Sequence, residues 1–185
     1  MKRALIVGGT RGIGQALAAE LRKKLWIVEA TGKKDFDIGW PVTWNRWTKQ
    51  QTKRFDLVVF SAGYLKPQPW KNKRWPEYVK SYCANMLGPV YFLGSYDYML
   101  RDNADVVFVS SIGAVNDGGV DLGYSTAKAA LERAAKTIAK ETSWKVHVIR
   151  FDLVDTDMMK LLPEIDSERE IMSPKQAALK ILERL

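Results

Sequence analysis

One histidine and one cysteine occur in 185 residues. With His147 alone, neither a histidine-based catalytic triad nor a multi-histidine metal site can be assembled, and no metal is expected. With Cys83 alone no internal disulfide framework exists, which fits a reducing compartment. Long apolar runs are also lacking. Ala4-Leu5-Ile6-Val7 is too short for a signal-peptide core, and no later run could span a bilayer. The expectation is a cytoplasmic protein without a membrane partner. No internal repeat, low-complexity tract or Gly/Ser linker breaks the chain, whose length suits one domain over 1–185. Acidic residues are the minority: 29 Lys and Arg face 21 Asp and Glu, leaving a net charge of +8. Such a balance suits nucleic acid or phosphorylated small molecules. The cations are spread along the chain rather than gathered in a tail, the pattern of a solvated surface, so no nucleic-acid partner is expected.

What is present begins with Arg3-Ala4-Leu5-Ile6-Val7, an apolar run without alternation, as in a strand buried on both faces of a parallel sheet. It enters Gly8-Gly9-Thr10-Arg11-Gly12-Ile13-Gly14 and then a helical pattern through Ala16, Leu17 and Leu21. Strand, glycine turn and helix in that order form a context for a dinucleotide pyrophosphate. Gly8 allows the tight turn, Gly12 the approach of the pyrophosphate, and Gly14 the packing of helix on strand. Further buried strands are expected over 25–30, 56–60, 106–111 and 145–150. Trp40, Trp44 and Trp47 fall at helical spacing among basic residues, the pattern of a helix that lays its aromatics on the sheet. A long helix is expected from about Trp75 to Leu100, bent at Gly88-Pro89. Ser173-Pro174 opens a final helix, serine capping and proline in the first turn.

The chemistry centres on Tyr124-Ser125-Thr126-Ala127-Lys128, thirteen residues beyond Ser111. Lys128 lies one helical turn from Tyr124 on the same face, where its ammonium would favour the phenolate and lower the tyrosine pKa. Ser111 supplies a hydroxyl that could hold a carbonyl oxygen before the phenol. A proton donor, a tuning cation and a polariser suggest carbonyl reduction or its reverse.

The glycine turn, Ala62-Gly63, Asn85, Ser111, Tyr124, Lys128 and Thr156 occur in an order that resembles the short-chain dehydrogenase/reductase family. The resemblance implies an α/β fold: a single-domain, Rossmann-like, doubly wound parallel sheet of about six strands, the third shortened at Asp37-Ile38, with helices on both faces. It implies a nicotinamide dinucleotide held by Gly8, Thr10, Arg11, Gly12, Ile13 and Gly14. Asp37-Ile38 and Ser61-Ala62-Gly63 would line its adenosine side, and Tyr124, Lys128, Val154 and Thr156 its nicotinamide half. No carboxylate ends the second strand. Lys33 and Lys34, with Arg11, would instead surround a 2′-phosphate, so NADP(H) is preferred over NAD(H). Asn85, Ser111, Tyr124 and Lys128 would be catalytic, Asn85 by holding a water that links the lysine to solvent. Residues 157–172, rich in Met and Leu, resemble a short substrate lid. Three positions depart from the family pattern: Val7 replaces a threonine, Phe60-Ser61 an Asn-Asn pair, and Phe151-Asp152 a Pro-Gly pair that shapes the nicotinamide pocket.

These features imply an oxidoreductase that moves hydride between NADP(H) and a small carbonyl/alcohol substrate, assembled as a homodimer through its sheet-covering helices. The alternative is a non-catalytic NADP-binding or sensing protein on the same fold, motivated by Phe151-Asp152, the shortened third strand and the early end of the chain.

Overall fold

A computed structural model describes residues 1–116, 121–163 and 169–185. Five strands form one fully parallel sheet: β1 (Arg3–Val7), β2 (Ile27–Thr31), β3 (Phe55–Phe60), β4 (Leu100–Ser111) and β5 (Lys145–Phe151), in the order β2-β1-β3-β4-β5. Successive side chains along each strand point to opposite faces, and both faces are covered. Ala4, Ile6, Leu57, Val59, Val107 and Val109 pack beneath α1 (Gly12–Lys23) and α6 (Pro174–Leu182). Leu5, Val7, Val58, Phe60, Val106 and Phe108 face the other layer, which includes α4 (Gly88–Ser95) and α5 (Leu122–Glu141). Phe60 and Phe108 stack at 5.5 Å between centroids, and Phe92 of α4 meets Phe60 edge-on at 5.9 Å. The doubly wound α/β expectation holds.

The strand order reverses direction between β1 and β3. Open parallel sheets bind ligands outside the carboxyl ends of the strands at such a point. Gly8 follows β1 and Ser61-Ala62-Gly63 follow β3, so this crevice is built by the residues singled out above.

Among the described residues the sheet has five strands, close to the six or so expected, and Asp37-Ile38 supplies none of them. Side chains take the main-chain bonds of Asp37: its N–H donates to Thr43 Oγ1 at 3.0 Å, and its carbonyl accepts from Trp44 Nε1 at 2.7 Å. A backbone satisfied this way has no need of a strand partner. The tryptophans also divide. Only short helical turns form, at Pro41–Thr43 and in α2 (Asn45–Thr48); Trp44 is fully buried, Trp47 partly, and Trp40 is exposed.

The long helix expected from Trp75 is three pieces. α3 (Trp75–Tyr82) passes into a π-helical turn at Cys83–Leu87, then α4, and β4 begins at Leu100. Pro89 lacks an N–H and cannot donate back to the preceding turn, so the ladder loosens upstream of Gly88-Pro89. The last helix starts as expected, with a capping box between Ser173 and Gln176.

Candidate active site

The glycine turn is held from below. The N–H groups of Gly8 and Gly9 both donate to Thr31 O at 2.9 Å, tying β1's exit to the end of β2. Gly8 has φ +87°, and a Cβ there would lie 2.4 Å from Ala62 N. Gly14 abuts Gly8 O, where a Cβ would come within 2.4 Å. Gly12 differs. At φ +54° a Cβ would meet only the Thr156 methyl, at 3.1 Å, and otherwise point into open space. Helix α1 starts here with no side-chain cap at Arg11 and no acid in its first turn. Its unpaired N–H groups and positive dipole end therefore face outward past a residue without a side chain, a cradle that fits a pyrophosphate.

At the adenosine end, Thr10 packs on Gly32, where a Cβ would stand 2.5 Å from the threonine oxygen. Lys33 and Lys34 follow on the surface; Lys33 pairs with Asp37 at 3.2 Å, and Arg11 reaches Asp157 at 3.9 Å. All are exposed or half-exposed, so these contacts are weak and easily exchanged for a phosphate. Ile13 and Ile38 are packed against the two core layers.

Val154 and Thr156 part company. Val154 is buried in the layer beneath α1 and α6 and pairs with Met172 in a single parallel bridge, whereas Thr156 stands beside Gly12. Phe151, the last residue of β5, is buried, and Asp152 turns to solvent and pairs with Arg169. Met158, in the expected lid, touches the space at Gly63, within 3.3 Å of where a Cβ would be. Residues 164–168 of that lid, and 117–120 of the connection before Tyr124, lie outside the described residues.

Ser111 ends β4, where its hydroxyl accepts from Gly113 N at 3.2 Å and lies close enough to the Tyr124 phenol to act on its acidity. Tyr124 sits in the first turn of α5, capped by Asp121, whose Oδ1 accepts from Tyr124 N at 2.9 Å. Lys128 is buried; its Nζ is 5.7 Å from the Tyr124 ring centroid and donates to Val109 O at 2.7 Å. Burial pushes the lysine down to about 8, partly countered by Glu132 one turn further on. Glu132 in turn accepts from Ser110 and, in a fork, from Arg150 at 2.8 and 2.6 Å. The lowering of Tyr124 expected from Lys128 is not produced by the protein shell. Burial pushes the phenol up, and the neighbouring Ser111 hydroxyl pulls it back only in part.

Asn85 lies in the π-helical turn, buried. Its Nδ2 donates to Tyr64 O at 2.7 Å and Ser81 O at 2.9 Å, and its Oδ1 accepts from Tyr64 N at 3.1 Å. The carboxamide clamps the chain just beyond Gly63. Tyr64 in turn donates its hydroxyl to Glu77, so burial and that carboxylate push the phenol up to about 12; the same bond draws Glu77 down to about 2.

Sequence reasoning missed Lys73. Its ammonium forms a fully buried ion pair with Asp121, the cap of the helix that carries Tyr124. An aspartate directly before a helical pattern is a cap signal, and that much was readable; its partner, 48 residues away, was not. No cluster of three metal-ligating side chains occurs among the described residues.

A crevice at the reversal point of a parallel sheet, with an anion cradle on one side and a half-buried tyrosine and serine beside a buried lysine on the other, defines a dinucleotide-binding α/β protein of the oxidoreductase type. The chain belongs to the short chain dehydrogenase family, whose model matches residues 43–166. It is 27% identical to an uncharacterized oxidoreductase of Schizosaccharomyces pombe, over 98% of this chain and 89% of that one. Solved structures share the fold at lower identity. A short chain dehydrogenase family protein from Francisella tularensis superposes with a TM-score of 0.86 at 18% identity, covering 100% of this chain and 91% of its own. A small-chain dehydrogenase in complex with NADPH gives 0.86 at 18%, covering 98% and 90%.

Proposed function

We propose that this protein is an NADP(H)-dependent oxidoreductase that interconverts a carbonyl and an alcohol, with Tyr124 as general acid and base. The observation that carries the reading is the half-buried Tyr124 phenol set beside Ser111, with the buried Lys128 one turn along the same helix face. When bound, the nicotinamide supplies or accepts the hydride at the carbonyl carbon. Tyr124 gives the oxygen its proton, and a phenol that burial keeps protonated suits the reductive direction. Ser111 orients the oxygen towards the phenol. Lys128 provides the buried cation that steadies the developing phenolate and reaches the nicotinamide ribose. Asn85 keeps the main chain of Tyr64 in register, a positioning role.

Gly8, Gly12 and Gly14 would hold the pyrophosphate at the start of α1, with Thr10, Arg11, Lys33 and Lys34 on the 2′-phosphate. Ser61-Ala62-Gly63, Asp37 and Ile38 would flank the adenosine, and Thr156 the nicotinamide. The NADPH complex of the small-chain dehydrogenase supports this choice of cofactor. No helix among the described residues is long and apolar enough to cross a membrane, and a cytoplasmic location suits the single cysteine. A homodimer would cover Leu87 of the π-helical turn and Tyr91 of α4, both large and exposed.

Fluorescence titration with NADPH and NADH, followed by turnover of Tyr124→Phe, tests the reading. Tighter binding of NADPH, and a loss of turnover of ~100-fold or more with NADPH affinity retained, is expected. Unchanged turnover in the variant would remove Tyr124 from the chemistry.

A further inference from the structure

Two residues beyond Ser111 and one beyond Tyr124, neither of which lines it, the surface opens into a cavity of about 850 Å³, walled by the loop after β3, the exit of β4, one face of α5 and the stretch that ends at Pro163. Gly113 joins Ser111 to the cavity: a Cβ on it would lie 3.6 Å from Ser111 Oγ and 3.3 Å from Ser125 Oγ. The volume is that of a drug-sized ligand and far exceeds what a small aldehyde or ketone fills.

Its chemistry is uneven. Pro67, Pro69, Trp70, Leu122, Leu161 and Pro163 make most of the wall apolar. Two buried polar atoms on it, Ser125 Oγ and Gln68 Oε1, have no hydrogen-bond partner among the described residues. Of the other polar side chains on the wall, Asn116 is exposed to solvent and two are committed. Asp121 serves Lys73 and the α5 cap, and Thr126 bonds Leu122 O and Tyr82. Orphaned buried polar atoms are costly and point to a ligand that satisfies them. In a protein of net charge +8, none of the described wall residues is Lys or Arg. Lys71 rests against the Trp70 ring and Lys66 pairs with Glu77, both outside the lining. The stretches 117–120 and 164–168, which adjoin the wall in sequence, contain no lysine or arginine.

We propose that the substrate is a bulky, uncharged ketone whose apolar body fills this cavity and whose distal hydroxyl bonds Ser125 and Gln68. This rests on the oxidoreductase reading and narrows it. A carboxylate or phosphate on the distal end would be desolvated without a cation to receive it. The reaction balances as a reduction: NADPH gives hydride to the carbonyl carbon, Tyr124 gives the proton to its oxygen, and NADP⁺ and the secondary alcohol leave.

The test uses three acetylnaphthalenes that carry a hydroxyl, a methyl or a carboxylate at the same distal carbon. NADPH oxidation is followed with the full-length protein, and ligand binding to the NADPH complex is followed by the Trp70 contribution to fluorescence, with Trp70→Phe as control. The hydroxyl compound should exceed the carboxylate by ~100-fold or more in kcat/KM and in affinity. Ser125→Ala and Gln68→Leu should each narrow the hydroxyl-to-methyl preference by ~10-fold, chiefly through KM, the worth of one hydrogen bond. Equal or better use of the carboxylate, or variants that leave the hydroxyl-to-methyl ratio intact, would overturn the inference. NADPH binding without any ligand preference overturns it alone. Failure to bind NADPH overturns the oxidoreductase reading and this inference with it.

Discussion

Lys73 and Asp121 form an ion pair from which solvent is excluded on both sides, with no exposed side-chain surface on either partner. Lys73 also donates to Lys66 O at 3.2 Å, and the second oxygen of Asp121 caps α5 at Tyr124 N. Gly123 makes the room: a Cβ there would stand 3.2 Å from Lys73 Cε. One buried charge thus fastens the loop after β3 to the turn that presents the proposed catalytic tyrosine. Cofactor crevice and helix α5 are set relative to each other by a contact outside both.

The pair should dominate the stability of this corner. Removing one partner of a buried ion pair strands the other charge and costs about 3–5 kcal/mol. Asp121→Asn keeps an acceptor for the Tyr124 N–H, while Asp121→Ala loses the cap as well, about 1 kcal/mol more. Urea denaturation should rank wild type above Asn and Asn above Ala. A loss of under about 1 kcal/mol in both variants, the scale of an exposed pair, would show that water reaches Lys73.

Gly8 and Gly12, the positive-φ glycines among the described residues, should separate folding from cofactor binding. Gly8→Ala drives a methyl to 2.4 Å from Ala62 N, backbone against backbone, with no flexible group to yield. Gly12→Ala meets only the Thr156 methyl at 3.1 Å and bears a left-handed φ, a strain of about 1–2 kcal/mol. Gly8→Ala should therefore lower the denaturation midpoint further than Gly12→Ala. The latter should fold yet lose NADPH affinity, since its methyl occupies the proposed path of the pyrophosphate. Calorimetry and NADPH titration of the two variants decide this. A Gly12→Ala protein that binds NADPH as the wild type does would move the pyrophosphate elsewhere.

Much of this site was legible because its parts obey spacing rules. A turn that must bring backbone close to a ligand needs glycine at Gly8, Gly12 and Gly14, and a helix that must show two groups on one face needs Tyr124 and Lys128 four apart. What was not legible depends on partners distant in sequence. Lys73 and Asp121 read as solvated charges until the fold closes over them. The π-helical turn at Asn85 inserts a residue that a 3.6-residue period does not reveal. Asp37 lost its strand because Thr43 and Trp44 took its backbone bonds. The sign of the Tyr124 shift was misjudged for a related reason: helical spacing measures proximity to Lys128, and burial acts more strongly.

Lys128 carries the same lesson into a measurement. Burial lowers it from 10.5 to about 8 in the folded protein, so the folded state prefers the neutral amine. Below about pH 8 the lysine is charged in both states, and the folded state bears the whole desolvation cost. Between about 8 and 10.5 the unfolded chain keeps a proton that the folded chain has released, so stability rises with pH there. The displacement corresponds to roughly 3 kcal/mol. Lys128→Met has no such proton, although it leaves Val109 O without its donor. The difference in unfolding free energy, wild type minus Lys128→Met, should therefore climb by on the order of 3 kcal/mol from pH 7.5 to 10.5, other titrations cancelling in the subtraction. Parallel curves would mean that the ammonium is solvated in the folded protein, and Lys128 could not then be the buried cation that the proposed chemistry asks of it.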